Sequence, residues 1–141
     1  MTRFIQLVYA SQARPGFQAS QLTELVARSQ ERNRAVGITG ALYSGDGVFA
    51  QVLEGPPAPV FALYARVLED PRHVDIQTLT VRQVEERTFP QWGMAQVRGQ
   101  VAPPVSPAAL LEQSASGSTW VDGPVDEILT WFRHTLHRQA G

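Results

Sequence analysis

The chain lacks several features that mark particular classes of protein. It has no cysteine, which excludes disulfides, thiolate metal sites and thiol nucleophiles. No apolar run approaches the roughly 20 residues that a membrane span requires, and the N-terminus enters a strand without a signal-peptide pattern. The 12 basic residues are matched by 13 acidic ones and form no basic run, which argues against a nucleic-acid partner. We therefore expect a cytoplasmic protein that binds neither membranes nor nucleic acid.

What the chain does have is enough apolar sequence for one folded core. The hydrophobic content is 43% over 141 residues, and a domain of this size buries roughly two thirds of the surface of its unfolded chain. A proline-containing stretch without periodicity, residues 99–106, divides the sequence. We predict a domain over residues 1–98, a linker over 99–106 and a C-terminal helical extension over 107–141.

Hydrophobic periodicity predicts alternating strands and helices before the linker. The predicted strands are residues 4–9, the two arms of a hairpin within 37–55, residues 75–84 and residues 93–98. Ser20 is predicted to be the N-cap of the first helix, and the second helix is predicted to end at Asp70, because the residue before a proline avoids helical angles. This order predicts an α+β domain with a ferredoxin-like βαββαββ sheet and two helices on one face.

The hairpin carries one polar residue where an apolar one is expected. Gln51 lies between Phe49 and Leu53, which share its strand face because strand side chains alternate. A buried amide must find hydrogen-bond partners, so Gln51 is a candidate functional group. A second amide, Asn33, falls eleven positions after Leu22 and so returns to the inward face of the first helix. Each also has a structural explanation, with Gln51 bonded to backbone and Asn33 as a left-handed C-terminal residue.

Two helices are predicted to cap the domain beyond the linker. Ser106 and Pro107 suit the first positions of a short helix, and a longer amphipathic helix follows. His134 and His137 have a spacing that can hold a metal, but no third ligand is evident and a helix C-terminus favours histidine, so we predict no metal site. Trp131 lies off the apolar stripe, which fits either dimerisation through this helix or its packing on the sheet.

Several short motifs occur in one order along residues 3–98. They are Tyr9 at the end of the first strand, Asn33 at the end of the first helix, Gly37-Ile38-Thr39-Gly40, Gln51-Val52-Leu53-Glu54-Gly55 and Trp92-Gly93-Met94. With these motifs the chain closely resembles the BLUF family of flavin-binding blue-light sensors, and its C-terminal helices resemble those of the short, stand-alone members. It departs from the family pattern at Arg32, where many members carry asparagine, and at Gly93, where serine is frequent.

The resemblance implies a blue-light photoreceptor, not an enzyme, that binds FAD non-covalently, with FMN and riboflavin as alternatives. In such a sensor Tyr9 gives an electron and its O–H proton to the photoexcited flavin, and Gln51 then rotates or tautomerises, which produces a reversible red shift. Trp92 and Met94 would share the place beside Gln51 and pass the change to the C-terminal helices. An unidentified partner protein would read the lit conformer, and a homodimer or higher homo-oligomer is expected.

By the same resemblance, the flavin ring lies between the two helices. The residues expected to contact the flavin are Tyr9, Leu25, Ser29, Arg32, Asn33, Phe49, Gln51, Arg66, Val67, Asp70 and His73. Asn33 would hold the polar edge of the ring. Arg66, Asp70 and His73 would lie near its carbonyl side or its ribityl and phosphate tail. From helical spacing alone, however, Arg66 is a solvated surface arginine.

Two other functions fit parts of the pattern. An acylphosphatase-like enzyme on the same fold would bind phosphate through an arginine and an asparagine, but Arg32 and Asn33 lie at a helix end without an anion-binding loop. A flavin-binding module without photoactivity would carry most of the same motifs. The presence of both Tyr9 and Gln51 argues against that silent module.

Overall fold

The computed structural model describes residues 3–45, 47–91, 93–98 and 122–140. In chain order its elements are β1 (Phe4–Ala13), α1 (Ala19–Ala35), β2 (Thr39–Gly45), β3 (Val48–Gly55), α2 (Pro57–Glu69), β4 (His73–Val84), β5 (Ala95–Arg98) and α3 (Asp122–Ala140). The predicted α+β order βαββαββ and the long C-terminal helix are confirmed. Trp92, the linker and the first C-terminal helix lie outside the described residues.

The five strands form one sheet in the order β4-β1-β3-β2-β5. Strand β1 is antiparallel to β3 and to β4, and β2 is antiparallel to β3. These four strands have the ferredoxin-like order that the sequence predicts. Strand β5 extends the sheet by pairing in parallel with β2.

Side-chain alternation along the strands divides the core between the two faces of the sheet. On one face Leu7, Tyr9 and Leu53 pack with Leu22 of α1 and Val60 of α2. On the opposite face, the even-numbered residues of β1 and β3 pack against α3. The face that α1 and α2 leave open is therefore covered by the C-terminal helix.

The ends of α1 differ from the prediction. Gln18, not Ser20, is the N-cap, and its backbone N–H donates to Gln21 Oε1 at 2.9 Å. At the other end the left-handed conformation belongs to Gly37, whose φ is 78°. Glycine adopts this conformation without a side-chain clash. The interpretation of Asn33 as a left-handed C-terminal residue is therefore wrong, because Asn33 lies inside the helix.

Strands β1 and β4 are longer than predicted because they pair almost to their ends. Ala13 in β1 lies opposite His73 in β4, with register shifts between them and the centre of the ladder. Strand β5 is shorter than predicted and begins at Ala95. Gly93 and Met94 therefore belong to the segment that leads into β5.

A buried polar network lies on the α3 face of the sheet. Glu54 is fully buried and accepts hydrogen bonds from Gln6 Nε2 at 2.7 Å and from the backbone N–H groups of residues 88 and 89 at 2.9 and 2.7 Å. Arg82 Nε donates to Gln6 Oε1 at 2.8 Å, and Arg82 also forms an ion pair of 2.5 Å with Asp126 of α3. The network therefore connects α3 with the segment between β4 and β5.

Helix α3 is held to the sheet by aromatic packing. The buried ring of Trp131 packs edge-on against Tyr43, with 5.5 Å between the ring centroids, so packing on the sheet explains its position off the stripe. His134 is exposed, and the side chain of His137 lies outside the described residues. The part of the chain that the structure describes contains no group of three potential metal ligands. None of its helices is both long and apolar enough to cross a membrane.

Candidate functional site

A cavity of about 760 Å³ lies between α1, α2 and the sheet. This volume is typical of small-molecule sites, which measure roughly 300–1,000 Å³. The structure brings the following predicted site residues to its lining: Tyr9, Leu25, Ser29, Arg32, Asn33, Phe49, Gln51, Arg66, Val67, Asp70, His73 and Met94. Of the predicted site residues, Trp92 alone lies outside the described part of the chain.

Tyr9 and Gln51 lie directly opposite each other on β1 and β3, at the floor of the cavity. Tyr9 Oη donates a hydrogen bond to Gln51 Oε1. Gln51 Nε2 in turn donates to Met94 Sδ at 3.3 Å. Because a thioether is a weak acceptor, the amide N–H has a poor partner among the residues that the structure describes. A chain of donors thus runs from the phenol through the amide to the segment before β5.

The Tyr9 phenol is buried, with 4% of its surface exposed. Burial, and to a lesser extent the nearby Tyr64 and Asp70, raise the pKa of Tyr9 well above its ordinary value. The phenol therefore stays protonated, and its proton lies in the hydrogen bond to Gln51 Oε1. Tyr64, whose ring centroid is 5.4 Å away, directs its hydroxyl to Thr78 Oγ1 at 2.6 Å instead.

Asn33 joins α1 to the segment that precedes β5. Its side chain is buried, and Nδ2 donates to the carbonyl oxygen of Gly93 at 2.9 Å. The two backbones approach so closely that a Cβ at position 93 would collide with the carbonyl oxygen of Gln30 and lie 3.0 Å from Arg34 Cγ. Glycine at position 93 therefore allows this segment to pack directly on the helix.

His73 fastens the end of α2 to β1. Its Nε2 donates to the carbonyl oxygen of Val67 at 2.9 Å, since a carbonyl can only accept. In the neutral imidazole, Nδ1 then accepts from the buried Ser11 hydroxyl at 2.6 Å. The ring is fixed in one orientation, with its centroid 6.1 Å from that of Tyr9.

Two arginines that sequence reasoning missed, Arg28 and Arg72, also line the cavity. Arg72 Nη1 forms an ion pair of 2.6 Å with Asp70, and the Arg72 backbone N–H donates to the same carboxylate at 2.9 Å. Arg28 lies one helical turn before Arg32. The spacing of four residues on α1 was the signal that could have identified it.

The lining fits a planar ring with one polar edge. The walls carry apolar side chains from both helices, among them Leu25 and Val26 of α1 and Leu63 and Val67 of α2. At the floor, the N–H of Gln51 has a sulfur as its partner among the described residues. A flavin ring has apolar faces and carbonyl and nitrogen acceptors along its edge, so it would give Gln51 a better partner than the thioether.

Comparisons with known proteins agree with this geometry. The model of the BLUF family, described as sensors of blue-light using FAD, matches residues 4–95. The chain is 32% identical over 135 residues to the photoactivated adenylate cyclase subunit beta of Euglena gracilis, which covers 92% of this chain and 16% of that protein. It is 33% identical over 88 residues to the blue light- and temperature-regulated antirepressor BluF of Escherichia coli (strain K12), covering 62% and 22%. The chain therefore spans less than a quarter of either relative.

Solved structures of light-regulated proteins share the fold. The dark-state structure of BlrB, a BLUF protein, matches with a TM-score of 0.78 and 27% identity over 96% of this chain and 98% of that one. A bacterial light-regulated adenylyl cyclase matches with a TM-score of 0.67 and 28% identity, over 81% of this chain and 34% of that one. The chain belongs to the BLUF family of flavin-dependent blue-light sensors.

Proposed function

We propose that FAD occupies the cavity and that Tyr9 and Gln51 convert absorbed blue light into a new hydrogen-bond arrangement. The observation that carries the proposal is the donor chain from Tyr9 Oη to Gln51 Oε1 and from Gln51 Nε2 to Met94 Sδ. Membership of a family of blue-light sensors that use FAD supports the choice of cofactor. FMN and riboflavin carry the same ring and are the alternative ligands.

The chemistry that a bound flavin supplies is the acceptance of one electron under blue light. Tyr9 would give up that electron together with its Oη proton, and Gln51 would relay the proton by taking it at Oε1 while releasing an N–H proton toward the ring. When the electron and the proton return to Tyr9, the Gln51 carboxamide is left rearranged, either by rotation or by tautomerisation. A rotated amide would no longer donate to Met94, and the change would thereby reach the segment before β5.

The other lining residues bind and orient the flavin in this proposal. The proposed flavin-binding residues are Tyr9, Leu25, Ser29, Arg32, Asn33, Phe49, Gln51, Arg66, Val67, Asp70 and His73. Ser29 Oγ donates to the carbonyl oxygen of Leu25 at 2.8 Å, so its oxygen can accept from a ligand. Asn33 uses one amide hydrogen for Gly93 and has a second for the polar edge of the ring.

We further propose that the output is non-enzymatic and is read by a partner protein in the cytoplasm, with the sensor acting as a homodimer or higher homo-oligomer. The sensor would comprise residues 1–98, with the linker at 99–106 and the output helices at 107–141. The contact of α3 with Arg82 through Asp126 supports a role for this helix in output. The Euglena relative is named as a cyclase subunit and the Escherichia coli relative as an antirepressor, so the outputs named for these proteins differ.

Absorption spectroscopy tests the proposal directly. The purified protein is measured before blue light, after it and during recovery in the dark. A flavin spectrum with a small red shift that reverses in the dark is the expected result. Bound flavin without a shift would favour the silent module, and a protein that cannot be loaded with any flavin would refute the proposal.

A further inference from the structure

The arginines of the chain fall into two groups according to their partners. Those bonded to other described residues include Arg34, Arg72, Arg82 and Arg87. Three arginines that line the cavity, Arg28 and Arg32 on α1 and Arg66 on α2, form no ion pair or hydrogen bond with the described part of the chain. Unpaired guanidinium groups thus converge on one cavity from two helices.

The charge of the cavity differs in sign from that of the whole chain. The net charge of the protein is -1, yet the lining contains four arginines and a single carboxylate, Asp70. Asp70 is already paired with Arg72, and the acidic residues of α1 and α2 lie outside the lining. A cleft lined by charges of one sign focuses the field and attracts a ligand group of the opposite sign.

The three unpaired arginines lie at the opening of the cavity. Arg28, Arg32 and Arg66 are exposed, whereas Asn33 is buried and Gln51 is partly buried. Arg28 and Arg32 are one helical turn apart, roughly 6 Å along the axis, and Arg66 belongs to the opposite wall. The ring-binding groups therefore lie deeper than the cations, in the order that a ring with an anionic tail would require.

The chemistry of the side chains specifies the anion. A guanidinium group presents several N–H donors in a fixed plane and binds phosphate oxygens in pairs. All 12 basic residues of this chain are arginines. A phosphate group therefore suits this cluster better than a neutral ribityl hydroxyl does.

We propose that Arg28, Arg32 and Arg66 form a phosphate site that makes this protein select FMN and FAD over riboflavin. The inference rests on the proposed function, because the ring must occupy the floor of the cavity for the phosphate to reach its opening. Selectivity among flavins depends on the phosphate tail of the ligand, whereas the light response depends on its ring. An experiment can therefore refute the phosphate site without refuting the photoreceptor, or the reverse.

A competition experiment tests the site. The full chain is equilibrated with an equimolar mixture of riboflavin, FMN and FAD, and the bound flavins are released and quantified by chromatography. We expect the phosphorylated flavins to exceed riboflavin by about tenfold. Raising the salt concentration should reduce this preference, because exposed charges are screened.

The double variant Arg28→Gln with Arg32→Gln should lose most of the preference, and a cooperative unfolding transition in urea shows that it is folded. Arg133→Gln, an exposed position on α3 outside the lining, removes a charge elsewhere and should keep the preference. Equal binding of riboflavin and FMN by the unmodified protein would overturn the site. So would a preference that survives the double substitution, or one that Arg133→Gln removes equally.

The light response of each bound flavin separates this inference from the proposed function. If riboflavin competes equally with FMN and the bound flavins show the red shift, the phosphate site is wrong and the photoreceptor stands. If FMN is preferred but shows no red shift, the phosphate site stands and the switch is wrong. Failure of all three flavins to bind would overturn both.

Discussion

On each face of the sheet, β1 and β3 place two hydrogen-bonded polar side chains opposite each other, and one member of each pair is a glutamine. On the cavity face Tyr9 lies opposite Gln51, and on the α3 face Gln6 lies opposite Glu54, only three residues along the same two strands. Both glutamines are bonded on both sides of the amide. The two pairs differ in what their partners can do.

The amide of Gln6 is fixed by two partners that have one role each, beside the Thr88 hydroxyl, which accepts from Nε2 at 3.1 Å and can take either role. Its Oε1 accepts from Arg82, which can only donate, and its Nε2 donates to the carboxylate of Glu54, which can only accept. Reversing this amide would place N–H groups against N–H groups and oxygen against oxygen. The pair is therefore a rigid part of the core.

The amide of Gln51 has partners that tolerate reversal. The hydroxyl of Tyr9 can donate or accept, and the sulfur of Met94 is a weak acceptor whose loss costs little. Reversing this amide would still leave a hydrogen bond to the phenol. The comparison indicates that an amide inside a sheet can reverse at low cost when its partners can both donate and accept, or accept only weakly. Its orientation is fixed when one partner can only donate and another can only accept.

Among the changes on the cavity face, removal of the Tyr9 hydroxyl should have the largest effect on the light-induced red shift. Tyr9→Phe keeps the ring but deletes the proton that is donated to Gln51. We expect the variant to bind flavin and to lose the light-induced red shift completely, as judged by absorption spectroscopy. Tyr64→Phe is the matched control, because its hydroxyl bonds to Thr78 and the red shift should remain. A full red shift in Tyr9→Phe would contradict the electron-donor role.

Replacing each glutamine in turn with leucine tests whether the two amides have different roles. Gln51→Leu should abolish the red shift and cost less stability than Gln6→Leu, because Tyr9 Oη loses an acceptor but the Met94 thioether loses only a weak bond. Gln6→Leu should keep the red shift but lower the free energy of unfolding by about 2 kcal/mol, because buried partners lose their bonds. Absorption spectra and denaturant unfolding separate the two outcomes. A normal photocycle in Gln51→Leu would refute the amide mechanism.

Changing one atom of the Gln6–Glu54 pair should lower the free energy of unfolding about as much as Gln6→Leu does. Glu54→Gln keeps the shape of the side chain but turns one acceptor oxygen toward its donors as an NH₂ group. We expect the free energy of unfolding to fall by about 2 kcal/mol, measured with urea. Glu86→Gln, an exposed position, should change it by less than about 0.5 kcal/mol. Equal stabilities for the two variants would show that the network is not a rigid part of the core.

The ion pair between Arg82 and Asp126, at the surface end of the network, should contribute least to the free energy of unfolding. In the ion pair of Arg82 with Asp126, the aspartate side chain is 58% exposed, so solvent screens the attraction. Asp126→Asn should therefore cost less than about 1 kcal/mol of unfolding free energy. Glu127→Gln removes the same charge from the next residue of α3 and controls for the helix as a whole. A loss several times larger in Asp126→Asn would mean that this pair anchors α3.

The fold could be predicted because its pattern is local. Alternation marks the strands and helical spacing marks α1 and α2, and the order of these elements is that of the ferredoxin-like sheet. The ends of elements were less predictable. Gln18 caps α1 although glutamine is an uncommon cap, and β1 continues through a turn-like sequence because Ala13 pairs with His73.

The sequence alone predicted one of the two glutamine pairs better than the other. Gln51 stood out because apolar residues flank it on its own face, but its contact with Tyr9 depends on a strand register that the sequence does not fix. No feature of the sequence indicates that Gln6 and Glu54 are buried together. They are buried where the segment between β4 and β5, more than 30 positions from either residue in the chain, folds over that face and bonds to both side chains.

The direct packing of Gly93 on α1 has a consequence for how such sequences can diverge. Any side chain at this position meets the backbone of Gln30 and the side chain of Arg34. A serine could be accommodated there only if the helix moved outward, which would also lengthen the bond from Asn33 to the Gly93 carbonyl. Substitutions at position 93 should therefore be accompanied by changes on the facing turn of α1, so that these distant positions vary together among related proteins.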